Sequence, residues 1–121
     1  MSRGKLVTLL EKQFLFSKLL GQFLTWCADN GHQVTMGECY RTPEQAALNA
    51  NKGSGIQNSL HTLRLAVDLN PFVNGVYQTD GAAYRVLGDY WKTLDTQCCF
   101  GGDFHPKPDN DHFSISHNGI K

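Results

Sequence analysis

No stretch of this sequence stays apolar for long. The longest run near the start, Leu6 to Leu10, already contains Thr8 and stops at Glu11, well short of a spanning helix or a signal-peptide core. Charge of one sign is not in excess either. Eleven Lys+Arg stand against eleven Asp+Glu, a net charge of zero, which argues against a large, uniformly cationic nucleic-acid surface and leaves room for a local patch alone. The chain has no CxxC pair: Cys27 and Cys39 stand alone and Cys98 and Cys99 are adjacent. A tetrathiolate zinc site is therefore excluded, and the four cysteines read as reduced, mostly buried thiols. Internal repeats, low-complexity tracts and linkers are also missing. What is present is ordinary: 40% hydrophobic and 11% aromatic residues over 121 positions, the composition and length of one globular domain spanning residues 1–121.

Hydrophobic periodicity divides that length into elements. From Leu6 to Ala28 apolar residues recur at helical spacing, clearest in Phe16, Leu19, Leu20, Phe23 and Cys27, and Asp29-Asn30-Gly31 ends the helix. Gln33 to Tyr40 alternates and reads as a strand. Thr42, Pro43 and Gln45 supply an N-cap, a first-turn proline and the third position of a capping box. That helix runs through Ala50, and Gly53-Ser54-Gly55 breaks it into a flexible loop leading to Ser59. Leu63 to Leu69 alternates again, with Leu63, Leu65, Val67 and Leu69 on one face and Arg64, Ala66 and Asp68 on the other. Asn74-Gly75 between apolar pairs signals a hairpin. Asp80 caps a helix carrying Ala83, Leu87, Tyr90, Trp91 and Leu94. Cys98 to Phe104 and His112 to Ser116 read as strands joined by a polar turn from His105 to Asn110. This order predicts an α+β domain with a small, mostly antiparallel sheet flanked by helices.

Two segments could carry chemistry. Asp68 projects from an otherwise apolar strand, where a carboxylate needs a cation, a metal or hydrogen bonds, and His61 lies seven residues before it. Asp109-Asn110-Asp111-His112 opens the last strand with a second imidazole and two more carboxylates. Two histidines and one carboxylate make a three-ligand zinc set that leaves a fourth position for water, the pattern of a catalytic site. Such a water has its pKa lowered towards ~7, and a nearby carboxylate, Asp109 or Asp111, can take its proton. Side chains at odd separation along a strand point to opposite faces, so the turn must still be curling at Asp109 for it to reach His112. Asp68 could instead pair with Arg64 or Arg85. A Ser59/His61/Asp68 triad fares worse, given the two-residue spacing of Ser59 and His61 and the missing GxSxG elbow.

These residues resemble a family. Ser59-Leu60-His61-Thr62-Leu63-Arg64-Leu65-Ala66-Val67-Asp68 is similar to the SxHxxGxAxD motif of the D-alanyl-D-alanine carboxypeptidase and phage endolysin group of zinc peptidases, relatives of the Hedgehog signalling-domain fold. Gly101-Gly102-Asp103-Phe104, Asp109-Asn110-Asp111-His112-Phe113 and Tyr40-Arg41-Thr42 resemble its GGDW, (D/E)xxH and substrate-arginine segments, so the resemblance spans about Met36 to Ile115. It implies zinc held by His61, Asp68 and His112, with Asp109 as general acid/base. Arg41 would bind the substrate carbonyl or carboxylate, and Ser59 would assist substrate binding. Arg64 replaces the family's glycine, which bears on close packing or substrate access there.

The implied activity is a phage-type endolysin, a metallopeptidase cutting the peptide stem of bacterial peptidoglycan at L-alanyl-D-glutamate. The alternatives are a D-alanyl-D-alanine carboxypeptidase and a non-catalytic zinc-containing module of the same fold. The implied enzyme is a monomer made in the host cytoplasm without a signal peptide. It would reach the wall after a separate protein permeabilises the membrane, with no nucleic-acid partner and no membrane insertion. Activity should fall at acid pH, because histidine ligands must be neutral to bind zinc. His32, His105, His117 and the Cys98-Cys99 pair receive no role.

Overall fold

The structure is a computed structural model that describes residues 7–52 and 59–121. A 21-residue helix, α1 (Leu9–Asp29), opens it. Its start is set by a capping box in which Thr8 accepts from the Glu11 N–H and the Glu11 carboxylate accepts from the Thr8 N–H, satisfying two orphan donors at once. The helix thus begins three residues later than the periodicity placed it, and the Leu6 boundary itself lies outside the described residues. Asn30 caps the far end and Gly31 follows at φ +75°, where a side chain would be strained. The buried stripe is Lys12, Phe16, Leu19, Phe23 and Cys27. Lys12 is tolerated there because its ammonium donates to the Ser116 carbonyl.

Strand β1 (Gln33–Met36) is shorter than the alternation to Tyr40 suggested. Pairing does not stop at Met36 but bulges: the Gly37 N–H donates to the Asp68 carbonyl at 2.7 Å and the Asp68 N–H to the Glu38 carbonyl at 2.8 Å. Two residues thus face one, which bends the chain out of the ladder. Helix α2 (Pro43–Asn51) starts at Thr42 as expected, with Thr42 accepting from the Gln45 N–H. The return bond of the capping box is absent, since the Gln45 side chain donates to Asn49 instead. The Gly53-Ser54-Gly55 break lies outside the described residues.

A 3-10 turn, Leu60–Leu63, precedes β2 (Ala66–Val73). The strand therefore starts and ends later than the predicted Leu63 to Leu69. Leu63 and Arg64 belong to the turn and its cap, with Arg64 at φ +59°, ψ +36°. Asn74 and Gly75, at φ +50° and +78°, turn β2 into β3 (Val76–Tyr77), the two left-handed residues a tight hairpin requires. Helix α3 (Gly81–Thr93) is capped by Asp80. It buries Tyr84, Leu87, Gly88 and Trp91, so Tyr84 faces the core although the helical pattern singled out Ala83 and Tyr90. Strands β4 (Cys98–Phe100) and β5 (His112–Ile115) complete the sheet, separated by a 3-10 turn at Gly101–Asp103 and an irregular segment. The predicted strand to Phe104 ends early for this reason.

The sheet order is β1-β2-β5-β4, with β3 also on β2, and every pair is antiparallel. The α+β fold with a small antiparallel sheet and helices is therefore the one expected. Val67, Leu69, Phe113 and Ile115, all at most 0% exposed, share one sheet face by the two-residue period. Phe23 of α1 and Trp91 of α3 meet Phe113 there, and the Trp91 indole N–H donates to the carbonyls of Cys99 and Ser114. Gly88 is obligatory, because a Cβ on it would lie 2.3 Å from the Phe100 ring. Of the cysteines, Cys27 and Cys98 are buried, Cys99 is half-buried and Cys39 is exposed, all free thiols. Among the described residues no helix is long and apolar enough to cross a membrane.

Candidate metal centre and its cleft

The face opposite the aromatic core presents Asp68 and His112 side by side, because the antiparallel register pairs these two residues directly across β2 and β5. Residues opposite each other in such a ladder project to the same side with Cβ atoms about 4.5–5.5 Å apart. His61 arrives from the 3-10 turn, whose start is fixed by the Ser59 hydroxyl accepting the His61 N–H at 3.1 Å. Gln13 of α1 donates to the Leu63 carbonyl at 2.8 Å, holding the far end of the turn. The result is a compact triad. One ligand-type atom from each of His61, Asp68 and His112 lies within 4.8 Å of the others, and His61 Nε2 is 3.2 Å from Asp68 Oδ1.

Each imidazole is prepared differently. His61 Nδ1 lies 3.0 Å from the Cys39 carbonyl, a contact that requires the proton on Nδ1 and turns the Nε2 lone pair inward. Burial opposes charge on His61, but the hydrogen bonds to Asp68 and Cys39 outweigh it and its pKa stands above the ordinary histidine value. His112 is driven down to about 4 by burial and then by the neighbouring His61 charge, so it is neutral near pH 7. Its Nε2 is buried with no hydrogen-bond partner among the described residues. A buried nitrogen lone pair left unpaired is costly, and two imidazoles with one carboxylate form a donor set suited to zinc. The residues present therefore fit such an ion.

The triad opens into a cleft of about 310 Å³. Arg41 is on its wall, with a side chain only 13% exposed and held by Glu38; its Nε donates to Glu38 Oε1 at 3.0 Å. Arg41 is therefore largely buried in the cleft wall, although it immediately precedes the Thr42 cap of α2. Asp109 lines the cleft as well, its Oδ2 4.0 Å from His112 Nδ1. The chain is indeed still turning there, since the His112 N–H donates to the Asp109 carbonyl at 3.1 Å. Asp111 does not line it. Burial, then a hydrogen bond to Asp109 and its charge, push the Asp111 carboxyl up to about 6. Ser59 borders the cleft but is 5% exposed, with its oxygen engaged by the His61 N–H. Neither Arg64 nor Arg85 pairs with Asp68: the Arg64 guanidinium sits 4.0 Å over the Tyr40 ring, and Arg85 binds Asp103 at 2.6 Å.

Several structural roles escaped sequence reasoning, even at residues that the resemblance had marked. The segment Gly37 to Arg41 is the hub of the site: it grips both sides of Asp68, orients His61 through Cys39, and ties the Arg41 N–H to the His61 carbonyl at 3.1 Å. Its signal is backbone, which no residue type announces. Gly101 has a steric reason to be glycine, because a Cβ would fall 2.0 Å from the Asp109 carbonyl and 2.8 Å from His112 Cβ. Phe104 walls the cleft with its ring centroid 5.4 Å from that of His112. Arg64 stands in the left-handed region, so a glycine at this place answers to φ rather than to packing or access.

Known proteins share this fold. The D-alanyl-D-alanine carboxypeptidase family profile matches residues 52–115. No curated protein gives a significant match. Among solved structures, the L-Ala D-Glu endopeptidase ChiX of Serratia marcescens is similar with a TM-score of 0.71 and 17% identity, over 84% of this chain and 77% of that one. The vancomycin-resistance D,D-pentapeptidase VanY from a VanB-type cassette, solved as a mutant with Zn(II), gives 0.59 and 20% over 83% and 70%. With the profile covering more than half of the sequence, including His61, Asp68 and His112, the chain belongs to the D-alanyl-D-alanine carboxypeptidase family.

Proposed function

We propose that this protein is a zinc metallopeptidase that hydrolyses the peptide stem of bacterial peptidoglycan at the L-alanyl-D-glutamate bond, acting as a phage-type endolysin. The observation that carries the reading is the buried His61–Asp68–His112 cluster opening into a cleft with Arg41 and Asp109 on its walls. The better overlap with ChiX than with VanY supports the choice of bond.

His61, Asp68 and His112 would hold the ion through Nε2, a carboxylate oxygen and an imidazole nitrogen. When bound, zinc supplies Lewis acidity that activates water for attack on a peptide carbonyl. Asp109, exposed enough to meet solvent and close to His112, accepts the proton released by the attacking water. It then returns that proton to the departing amine, so the amide C–N bond breaks as the new C–O bond is kept and the base is regenerated. The Arg41 guanidinium, immobilised by Glu38, presents a fixed fork to the substrate oxygen and stabilises the charge that grows on it. Ser59 supports binding at one remove, by fixing the turn that carries His61.

A D-alanyl-D-alanine carboxypeptidase is the second reading, favoured by the description of the matching family. Digestion of purified murein by the zinc-loaded protein, with fragment masses, separates the two. Stem peptides lost from L-alanine are expected; release of free D-alanine alone overturns the endopeptidase assignment, and release of neither stem peptides nor D-alanine overturns both.

A further inference from the structure

The cleft does not end at Phe104. Beyond it lies a second hollow of about 600 Å³, and Phe104, Lys107 and Lys121 border both spaces. Two tied turns build it. On one side the Gly101 carbonyl accepts the Phe104 N–H at 3.1 Å and the Asp109 N–H at 2.8 Å, so both feet of the loop carrying Lys107 are anchored on one atom. On the other side His117 and Ile120 exchange backbone bonds at 2.8 and 2.9 Å around Asn118 and Gly119, at φ +50° and +80°. This turn presents Ile120 and Lys121.

The chemistry of the hollow is asymmetric. Phe104 and Ile120 are half-buried and give it an apolar floor. The one carboxylate among its lining side chains, Asp103, is already bound by Arg85 and Lys92, each at 2.6 Å. Lys107 and Lys121 are exposed, and among the described residues neither has an ion-pair partner. An open apolar groove, continuous with a reaction centre and rimmed by two unneutralised ammonium groups, complements an anion with an aliphatic body.

We propose that this hollow is a substrate subsite for an acidic residue adjoining the cleaved bond, its methylenes against Phe104 and Ile120 and its carboxylate toward Lys107 and Lys121. The identity of the occupant rests on the peptidase reading above; the preference for a carboxylate rests on the hollow.

The test uses two matched peptides, L-alanyl-γ-D-glutamyl-L-lysine with the glutamate α-carboxylate free and the same peptide with that group as a carboxamide. Each is offered to zinc-loaded wild type and to a Lys107→Gln/Lys121→Gln double variant, and both kcat/KM and calorimetric affinity are measured. Wild type should prefer the free carboxylate roughly tenfold, mainly through KM, and the ratio should fall to about one in the double variant. An unchanged ratio in the variant, or no preference in wild type, overturns the subsite. If neither peptide is cut, the peptidase assignment fails and calorimetry alone judges the hollow. Tighter binding of the acid peptide by wild type than by the variant then upholds it, and equal binding refutes it.

Discussion

The two halves of the site are held by different kinds of force. Asp68 and His112 sit on paired strands whose other face is locked by Val67, Phe113 and the rings of Phe23 and Trp91. Their spacing is a property of sheet register, and a slip of one residue in either strand would turn that strand's side chain into the core. Arg41, His61 and Asp109 sit on irregular segments held by individual hydrogen bonds rather than by a ladder, among them Arg41 N–H to the His61 carbonyl, His61 Nδ1 to the Cys39 carbonyl and Asp109 N–H to the Gly101 carbonyl. The rigid half suits groups that must keep a constant distance from an ion. The bonded-loop half adds His61, the third proposed ligand, pinned at both its N–H and its Nδ1, and carries Arg41 and Asp109, which meet substrate and move protons, where small adjustment is useful.

The comparison breaks most completely if the shared core is removed. Phe113→Ala should cost about 3–5 kcal/mol, the usual penalty for emptying a large buried aromatic site, read by chemical denaturation; a loss under about 1 kcal/mol would show that the strand half does not depend on it. Within the site, Asp109→Ala should retain zinc while turnover drops by roughly 10²–10⁴, whereas His61→Ala should lose both, measured by metal analysis beside a murein assay. Undiminished activity in Asp109→Ala would transfer the base role to Asp111. Glu38→Gln sharpens the contrast more gently. Freed from its carboxylate, Arg41 should raise KM roughly fivefold with zinc content unchanged, and a loss of zinc instead would place Glu38 among the supports of the metal.

The smallest effect concerns pH. Hydrogen bonds from Lys92 and Arg85 hold the Asp103 carboxyl below the ordinary carboxylate value. A depressed folded pKa means stability that is fully present above about pH 4 and disappears as pH falls through the lower folded value. Asp103→Asn should therefore melt slightly below wild type at pH 7, and the two curves should converge towards pH 2. A gap that stays constant with pH would deny the pair any electrostatic role. The effect is small because these groups are largely solvated.

Much of the fold could be read from pattern. The α1 stripe of Phe16, Leu19, Phe23 and Cys27, the Asp80 cap and the Asn74-Gly75 turn are local events, decided by spacing and by φ preferences that act over a few residues. Boundaries failed where a non-local partner intervened. The strand to Tyr40 was cut at Met36 by the bulge on Asp68, and the strand from Leu63 was delayed because Ser59 caps a 3-10 turn that ends at a left-handed Arg64. Of the site, residue types were legible, since a carboxylate in an apolar strand and imidazoles at strand entrances are conspicuous. The hub at Gly37–Arg41 was not, because it acts through carbonyls and N–H groups that every residue possesses.

By itself, then, the sequence determined which side chains could do the chemistry and which short segments would be helical, extended or turning. It could not decide that Asp68 stands opposite His112, that Asp109 rather than Asp111 faces the cleft, or that Asp103 is neutralised and leaves Lys107 and Lys121 uncompensated beside it. Those are distances between residues remote along the chain. They follow from strand register and from how closely glycine lets the Asp109 carbonyl approach Gly101, and both exist only once the core has closed.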